Sequence, residues 1–271
     1  MRKLVLLVSS LFISSYISAQ SVNSDKNQLL IDGYLYGNVV DKAETELNNI
    51  YKRESIFTFS YRFIDKNGKE LFFIINKDGS WDFINGNQTN ENVVKDFQLK
   101  ILKENMNYTD PTYYQTGISY IIDKNDANSD MTGLIENEKN IWLHPPREYL
   151  FRILELNPFP YIKYPLEIGH CWNWKLQIGG AWGDKRWKKW TGVVENNYKY
   201  SIVDKKTIKT NIGNLDCFII ESEAVSELGK TRLTSYFNEK LGFVKLEYTN
   251  IDNSKLVIAI QGAEIPMFKC F

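Results

Sequence analysis

Apolar and polar positions alternate along much of this chain, and the dominant period is two. Phe57, Phe59, Tyr61 and Phe63 are separated by Thr58, Ser60 and Arg62, which predicts a half-buried strand. Asn67-Gly68 is a hairpin signal leading into the apolar run Leu71 to Ile75. Asp78-Gly79 is another, leading into Trp81 to Ile84, and the three runs together predict a β-meander. Two flanking segments read as helices instead. Asp41 can cap a helix reaching Tyr51, with Ala43, Leu47 and Ile50 on one face. Asn90 to Glu104 places Val94, Phe97, Ile101 and Leu102 on one stripe. Tyr113 to Ile122 reads as a strand, Asp123 to Gly133 as a polar loop, and Leu134 to Leu143 as a hairpin turning at Asn137 to Lys139. Pro145-Pro146 opens a short helix over Arg147 to Leu156, and Asn157-Pro158 stops it.

Beyond Tyr164 nearly everything reads as strand. The predicted segments are Trp172 to Ile178, Trp187 to Glu195, Tyr198 to Val203, Asp216 to Ala224, Thr231 to Phe237, Phe243 to Tyr248 and Leu256 to Gln261. Gly179-Gly180, Gly183-Asp184, Asn196-Asn197, Asn211 to Asn214, Gly229 and Asn253 punctuate them. Short strands at this spacing predict a curved antiparallel sheet, a half-barrel, preceded by the meander and helix region. The expected fold is thus mainly β with a few short helices. The aromatic stretch Pro158 to Pro165 is the best internal boundary. It separates residues 20–158 from 159–271, unless 20–271 form one continuous domain.

The first residues read as an export signal. Met1-Arg2-Lys3 is positive, Leu4 to Ile17 is apolar, and Ser18-Ala19 supplies small residues before Gln20. The apolar run is about 14 residues, short of the ~20 that span a bilayer. Cleavage after Ala19 is expected, leaving a periplasmic or secreted protein with no membrane span. Such export removes ATP from the expected ligands. The whole chain carries 33 basic and 33 acidic residues, and this balance argues against a nucleic-acid partner.

Candidate chemistry is sparse. There is no Gly-x-Ser-x-Gly, Ser-x-x-Lys or His-Glu-x-x-His. Gly229-Lys230-Thr231 imitates the end of a phosphate loop, but Ala224 stands where its first glycine belongs. No cofactor is expected. His144 and His170 are the only histidines, and each reads as a structural residue before it reads as a metal ligand with Glu148 or Glu167. Asp126, Asn128 and Asp130 have calcium-loop spacing, but Met131 and Asn137 occupy positions that need Gly and Glu. Asp123, Asn125 and Glu136 are the other oxygen donors nearby. Glu221 and Glu223 share a strand face, about 7 Å apart, within the range of a glycosidase pair. Of the three cysteines, Cys171 and Cys217 are the expected disulfide, because Cys270 lies one residue from the end.

Five of the seven tryptophans fall between Trp172 and Trp190, interleaved with Lys175, Lys185, Arg186, Lys188 and Lys189. On a strand, Trp172, Trp174, Leu176 and Ile178 share a face that is expected to point inward. Gly179 to Lys185 would be the turn, and Trp187 would begin the return strand. Trp187 and Trp190 would then lie on opposite faces, one in the core and one exposed or covering a groove mouth with Trp182. Rings and cations here suit stacking on a ligand. Trp182, Trp187, Trp190 and Arg186 are the candidate ligand-binding residues.

Residues from about 160 to 262 carry a resemblance. Tyr164-Pro165-Leu166-Glu167-Ile168-Gly169 lead into Trp172, a turn centred on Gly213 follows Thr210 and precedes Leu215-Asp216-Cys217-Phe218, and Leu241-Gly242-Phe243-Val244-Lys245 lie near the end. This pattern resembles a family of exported bacterial domains of unknown function with a curved antiparallel half-barrel, like the periplasmic lipoprotein carriers. The resemblance implies a fold and an envelope setting, and it carries over no catalytic residue. Three functions stay open. The first is a non-catalytic exported protein binding an apolar or amphipathic molecule or an envelope partner protein. The second is an envelope glycan or lipid hydrolase using carboxylates. The third is a purely structural surface-interaction protein.

Overall fold

The computed structural model describes residues 29–31, 34–36, 48–86, 91–105, 115–122 and 130–266. The strands are β1 (Leu29–Ile31), β2 (Tyr34–Tyr36), β3 (Ile56–Ile64), β4 (Glu70–Ile75), β5 (Trp81–Asn85), β6 (Val93–Val94), β7 (Asp96–Asn105), β8 (Thr116–Ile121) and β9 (Asp130–Glu136). They continue as β10 (Asn140–Leu143), β11 (Tyr161–Lys163), β12 (Cys171–Gly179), β13 (Val193–Thr210), β14 (Gly213–Ser226), β15 (Gly229–Asn238), β16 (Gly242–Thr249) and β17 (Lys255–Glu264). β1 and β2 form a separate hairpin. The rest form one antiparallel sheet, nearly closed into a barrel, in the order β11-β10-β9-β8-β7-β3-β17-β16-β15-β14-β13-β12, with β4, β5 and β6 branching from β3. The pairing of β17 with β3 carries the sheet through both halves of the chain.

The meander forms as the alternation predicts. Asp65 closes its first turn by accepting from the N–H groups of Asn67 and Lys69, and Gly68 takes the left-handed φ of 84° that a side chain would strain. The Asn137 to Lys139 hairpin also forms, with the Asn137 carboxamide oxygen accepting from Lys139 N–H and Asn140 N–H.

Two expectations are overturned outright, and a third, the polar loop at Asp123 to Gly133, gives way at residues 130–133, which belong to β9, while residues 123–129 lie outside the described residues. Asn90 to Glu104 is not a helix but β6 and β7. Phe97 and Ile101 suit either period, yet Phe97, Leu99 and Ile101 all face inward while Lys100 faces out, as on a strand. Both edges of β7 are satisfied, by β3 and by β8, and that non-local pairing outweighs the local stripe. The second concerns Asn196-Asn197, which is no turn. β13 runs unbroken from Val193 to Thr210, with one bulge between Ile202 and Asp204. Asn196 is buried because its side-chain amide donates to the carbonyl of Leu156 and to the Tyr198 hydroxyl. Most of the expected helix at 41–51 lies outside the described residues. Its end, residues 48–51, is an irregular segment held by Glu136, whose buried carboxylate accepts from the N–H groups of Asn49, Ile50 and Tyr51 at 2.8–2.9 Å.

The barrel is filled by its own chain. A 3-10 helix, Tyr149–Leu156, follows the two prolines and ends at Asn157, whose N–H bonds Leu154 O. Phe151 is fully buried, with ring centres 4.9 Å from Phe97, 5.7 Å from Tyr61 and 5.9 Å from Phe73. From the opposite strands, Asn196 and Thr231 both donate to Leu156 O. The helix therefore touches inward residues of β3, β4, β7, β13 and β15. The sheet's ends, β11 and β12, meet through rings. Tyr161 packs edge-on against Trp172, Trp174 and Tyr200, while Trp172 stacks on Tyr200 and Trp174 on Tyr198. Trp172, Trp174, Leu176 and Ile178 all point inward, as the alternation predicts.

Candidate functional site

β12 ends at Gly179, and the chain returns only at Val193. Residues 180–192 between them are a loop opened by one 3-10 turn, Gly180–Trp182, so Trp187 and Trp190 stand on no strand. This corrects the expected return strand from Trp187 and the opposite-face argument built on it. The loop holds itself together: Gly180 N–H bonds Gly192 O, Gly183 N–H bonds Gly180 O, and Asp184 bridges to Lys188. At Gly180 a Cβ would stand 2.6 Å from Trp190 O, so that approach requires glycine.

The loop's rings lean on the barrel in two places. Trp182 receives the guanidinium of Arg147 at 4.3 Å from its ring centre and that of Arg152 at 5.4 Å, and Arg152 also donates to Ala181 O. Trp187 stacks on Trp81 with ring centres 6.2 Å apart. Arg186 lies over the same Trp81 ring at 3.9 Å, donates to Trp81 O, and pairs with Asp184 at 2.7 Å. Trp81 packs edge-on against Phe73, and Phe73 against Phe151, so one train of rings runs from the loop to the plug. Trp190 donates its indole N–H to Ile178 O. All three loop tryptophans are half-buried, while Lys185, Lys188 and Lys189 are exposed. The structure thus brings Trp182, Trp187, Trp190 and Arg186 into one loop and adds Arg147, Arg152 and Trp81. Sequence reading missed those three because their placement depends on contacts far along the chain. The single available signal for Trp81 was its large ring beside the Asp78-Gly79 turn.

The other candidates are placed elsewhere. His144 is buried on Phe159, with Nδ1 donating to Pro145 O at 2.7 Å. Its Nε2 faces Glu155 Oε1 at 3.7 Å, and Arg147 lies 4.0 Å from the same oxygen. Burial, aided by Arg147, lowers the imidazole pKa to about 3, so the ring is neutral at ordinary pH. His170 bonds Pro165 O and packs on Trp172. Among the described residues no group of three His, Cys, Asp or Glu side chains is placed to hold a metal. Asp126 and Asn128 lie outside the described residues, and Asp130 opens β9 opposite Tyr120.

Glu221 and Glu223 share a face, as expected, and they line a shallow depression of about 520 Å3 with Cys171, Lys199, Ser201 and Arg232. Glu223 is tied to Lys230 at 2.9 Å and Arg232 at 3.3 Å, and its bond to Lys230 holds the carboxyl below its usual range. Cys171 and Cys217 are both free, so the expected disulfide is absent. β13 lies between their strands, which puts the backbones ~10 Å apart, beyond the ~7 Å a bridge tolerates. The register adds to this separation, since Cys171 stands level with Ser201 and Glu221, while Cys217 stands opposite Lys206. Burial raises the Cys217 thiol to about 11, which leaves it unreactive.

No protein-family model matches the chain, and no curated protein matches it in sequence. Among solved structures, it is similar to a presumed exported protein with a YmcC-like fold from Bacteroides fragilis, at 10% identity and TM-score 0.42, covering 79% of this chain and 97% of that one. It is similar to a presumed lipoprotein from Parabacteroides distasonis at 10% identity and TM-score 0.46, covering 82% and 100%. It is also similar to the hypothetical lipoprotein YmcC from Escherichia coli at 9% identity and TM-score 0.33, covering 81% and 89%. At these values the likenesses carry no inference about activity.

Proposed function

We propose that this is an exported, non-catalytic envelope protein that binds an apolar or amphipathic molecule at the barrel end covered by residues 180–192. The observation that carries this reading is the pair of ring and guanidinium groupings, half-buried Trp182 with Arg147 and Arg152, and half-buried Trp187 with Arg186 over the buried ring of Trp81. Flat rings offer an apolar contact, and Arg152 offers charge to a polar head. The interior is occupied by Phe151 and its helix, which favours a ligand at the loop over one inside the barrel.

The test is titration with a fluorescent fatty acid, read by quenching of tryptophan emission. Trp182→Ala is expected to weaken binding at least tenfold with little loss of stability. Unchanged affinity in Trp182→Ala and Arg186→Ala, or no binding by the unaltered protein, would sink the reading. Export is tested separately by N-terminal sequencing of the protein recovered from its native cell, with Gln20 expected first. A hydrolase has less support. His144 and Glu155 are buried, and Glu223 is neutralised by two cations.

A further inference from the structure

Lys185, Lys188 and Lys189 stand exposed on the loop 180–192, beside its three half-buried tryptophans. None makes an ion pair among the described residues, and the loop's single acid, Asp184, is held by Arg186. The loop is therefore a local positive surface on a chain whose charges cancel overall. Positive charge together with tryptophan is the composition of a bilayer interface, where indole rings sit at headgroup level and lysines meet anionic lipid. Strands β12 and β13 hold the loop at one end of a rigid barrel, and its backbone is closed by the Gly180 to Gly192 bond. The surface is thus formed before any contact and needs little ordering on binding.

We infer that residues 180–192 dock this protein on an anionic lipid surface, with Trp182, Trp187 and Trp190 at the interface and Lys185, Lys188 and Lys189 on the headgroups. This rests on the reading above and names the class of amphipath: lipid presented in a bilayer, not a free phosphate. Charge complementarity selects it. The loop has no spare acid to attract a cation, and its rings would add nothing to the capture of inorganic phosphate.

The experiment is co-sedimentation of the full mature protein with two kinds of vesicle, phosphatidylcholine alone and phosphatidylcholine mixed one to one with phosphatidylglycerol. Binding to the mixed vesicles is expected, with little to the neutral ones, and added salt should weaken it. Replacing the three lysines together by Gln should lower partitioning by roughly a hundredfold, about fivefold for each. The exposed lysines carry no packing, so an unchanged melting temperature confirms that the variant folds. Equal binding to both vesicles, salt-insensitive binding, or a triple variant that binds like the parent would overturn the inference. So would loss of binding in millimolar inorganic phosphate at constant ionic strength, or retention on immobilised polyglutamate without vesicle binding. Fatty-acid binding with no vesicle binding would overturn this inference alone. Failure of both would overturn the proposed function with it.

Discussion

Two tryptophan-rich stretches lie end to end in this chain and do opposite things. Trp172 and Trp174 sit on β12, pack on Tyr200 and Tyr198, and seal the barrel where its two edge strands meet. Trp182, Trp187 and Trp190 sit a few residues later on a loop and stay half in solvent, steadied by arginines and by Trp81. The residue type is the same and the neighbouring lysines are similar, so composition cannot separate them. The difference is the backbone. A paired strand forces every second ring inward, whereas a loop lets each ring find its own partner.

The comparison is broken most severely by Trp174→Ala. The ring is 2% exposed, so its truncation is expected to cost about 3–5 kcal/mol. Thermal melting should show this as a fall of roughly 10 °C, and a small fall would mean that the β12 face is a surface.

A second effect sharpens the same contrast through pH. His144 lies beside the seam, packed on Trp142 and Phe159, and is faced by Arg147 and Glu155. Its folded pKa of about 3 lies below the unfolded 6.5, so the folded state binds fewer protons. The stability it allows is complete above 6.5 and is lost as pH falls from 6.5 towards 3. The expected slope is about 1.4 kcal/mol per pH unit. Urea melts at pH 7 and pH 5 measure it, and His144→Phe should flatten the slope.

Smaller effects belong to the loop. Arg186→Ala removes one ring contact and the bonds to Trp81 and Asp184, and about 1 kcal/mol is expected. Trp182→Ala should cost least, under about 1 kcal/mol, because a half-exposed ring leaves no sealed cavity. A loss in Trp182→Ala as large as that in Trp174→Ala would make the loop part of the core and end the distinction.

Much of the fold was legible because its signals are local. The alternation at Phe57 to Phe63, the turns at Asn67-Gly68 and Asp78-Gly79, and the inward face from Trp172 to Ile178 each depend on a few consecutive residues. The same holds for the strands ending in β14 to β17. The candidate site was legible only as a list of residue types. Nothing local says that Trp187 will stack on Trp81, or that Arg147 and Arg152 will reach Trp182.

By itself, then, the sequence determined a β-rich chain with an inward tryptophan face. Tertiary structure decided the rest wherever two local readings competed. Phe97 and Ile101 fit a helix as well as a strand, and the open edges of β3 and β8 made the strand the lower-energy choice, because they supply ladder partners on both sides of its central residues. Asn196 looked like a turn residue, and the carbonyl of Leu156 inside the barrel turned it into a buried donor. Cys171 and Cys217 looked like partners, and the strand between them kept them apart. In each case the deciding partner lies far away in sequence, where periodicity has no reach.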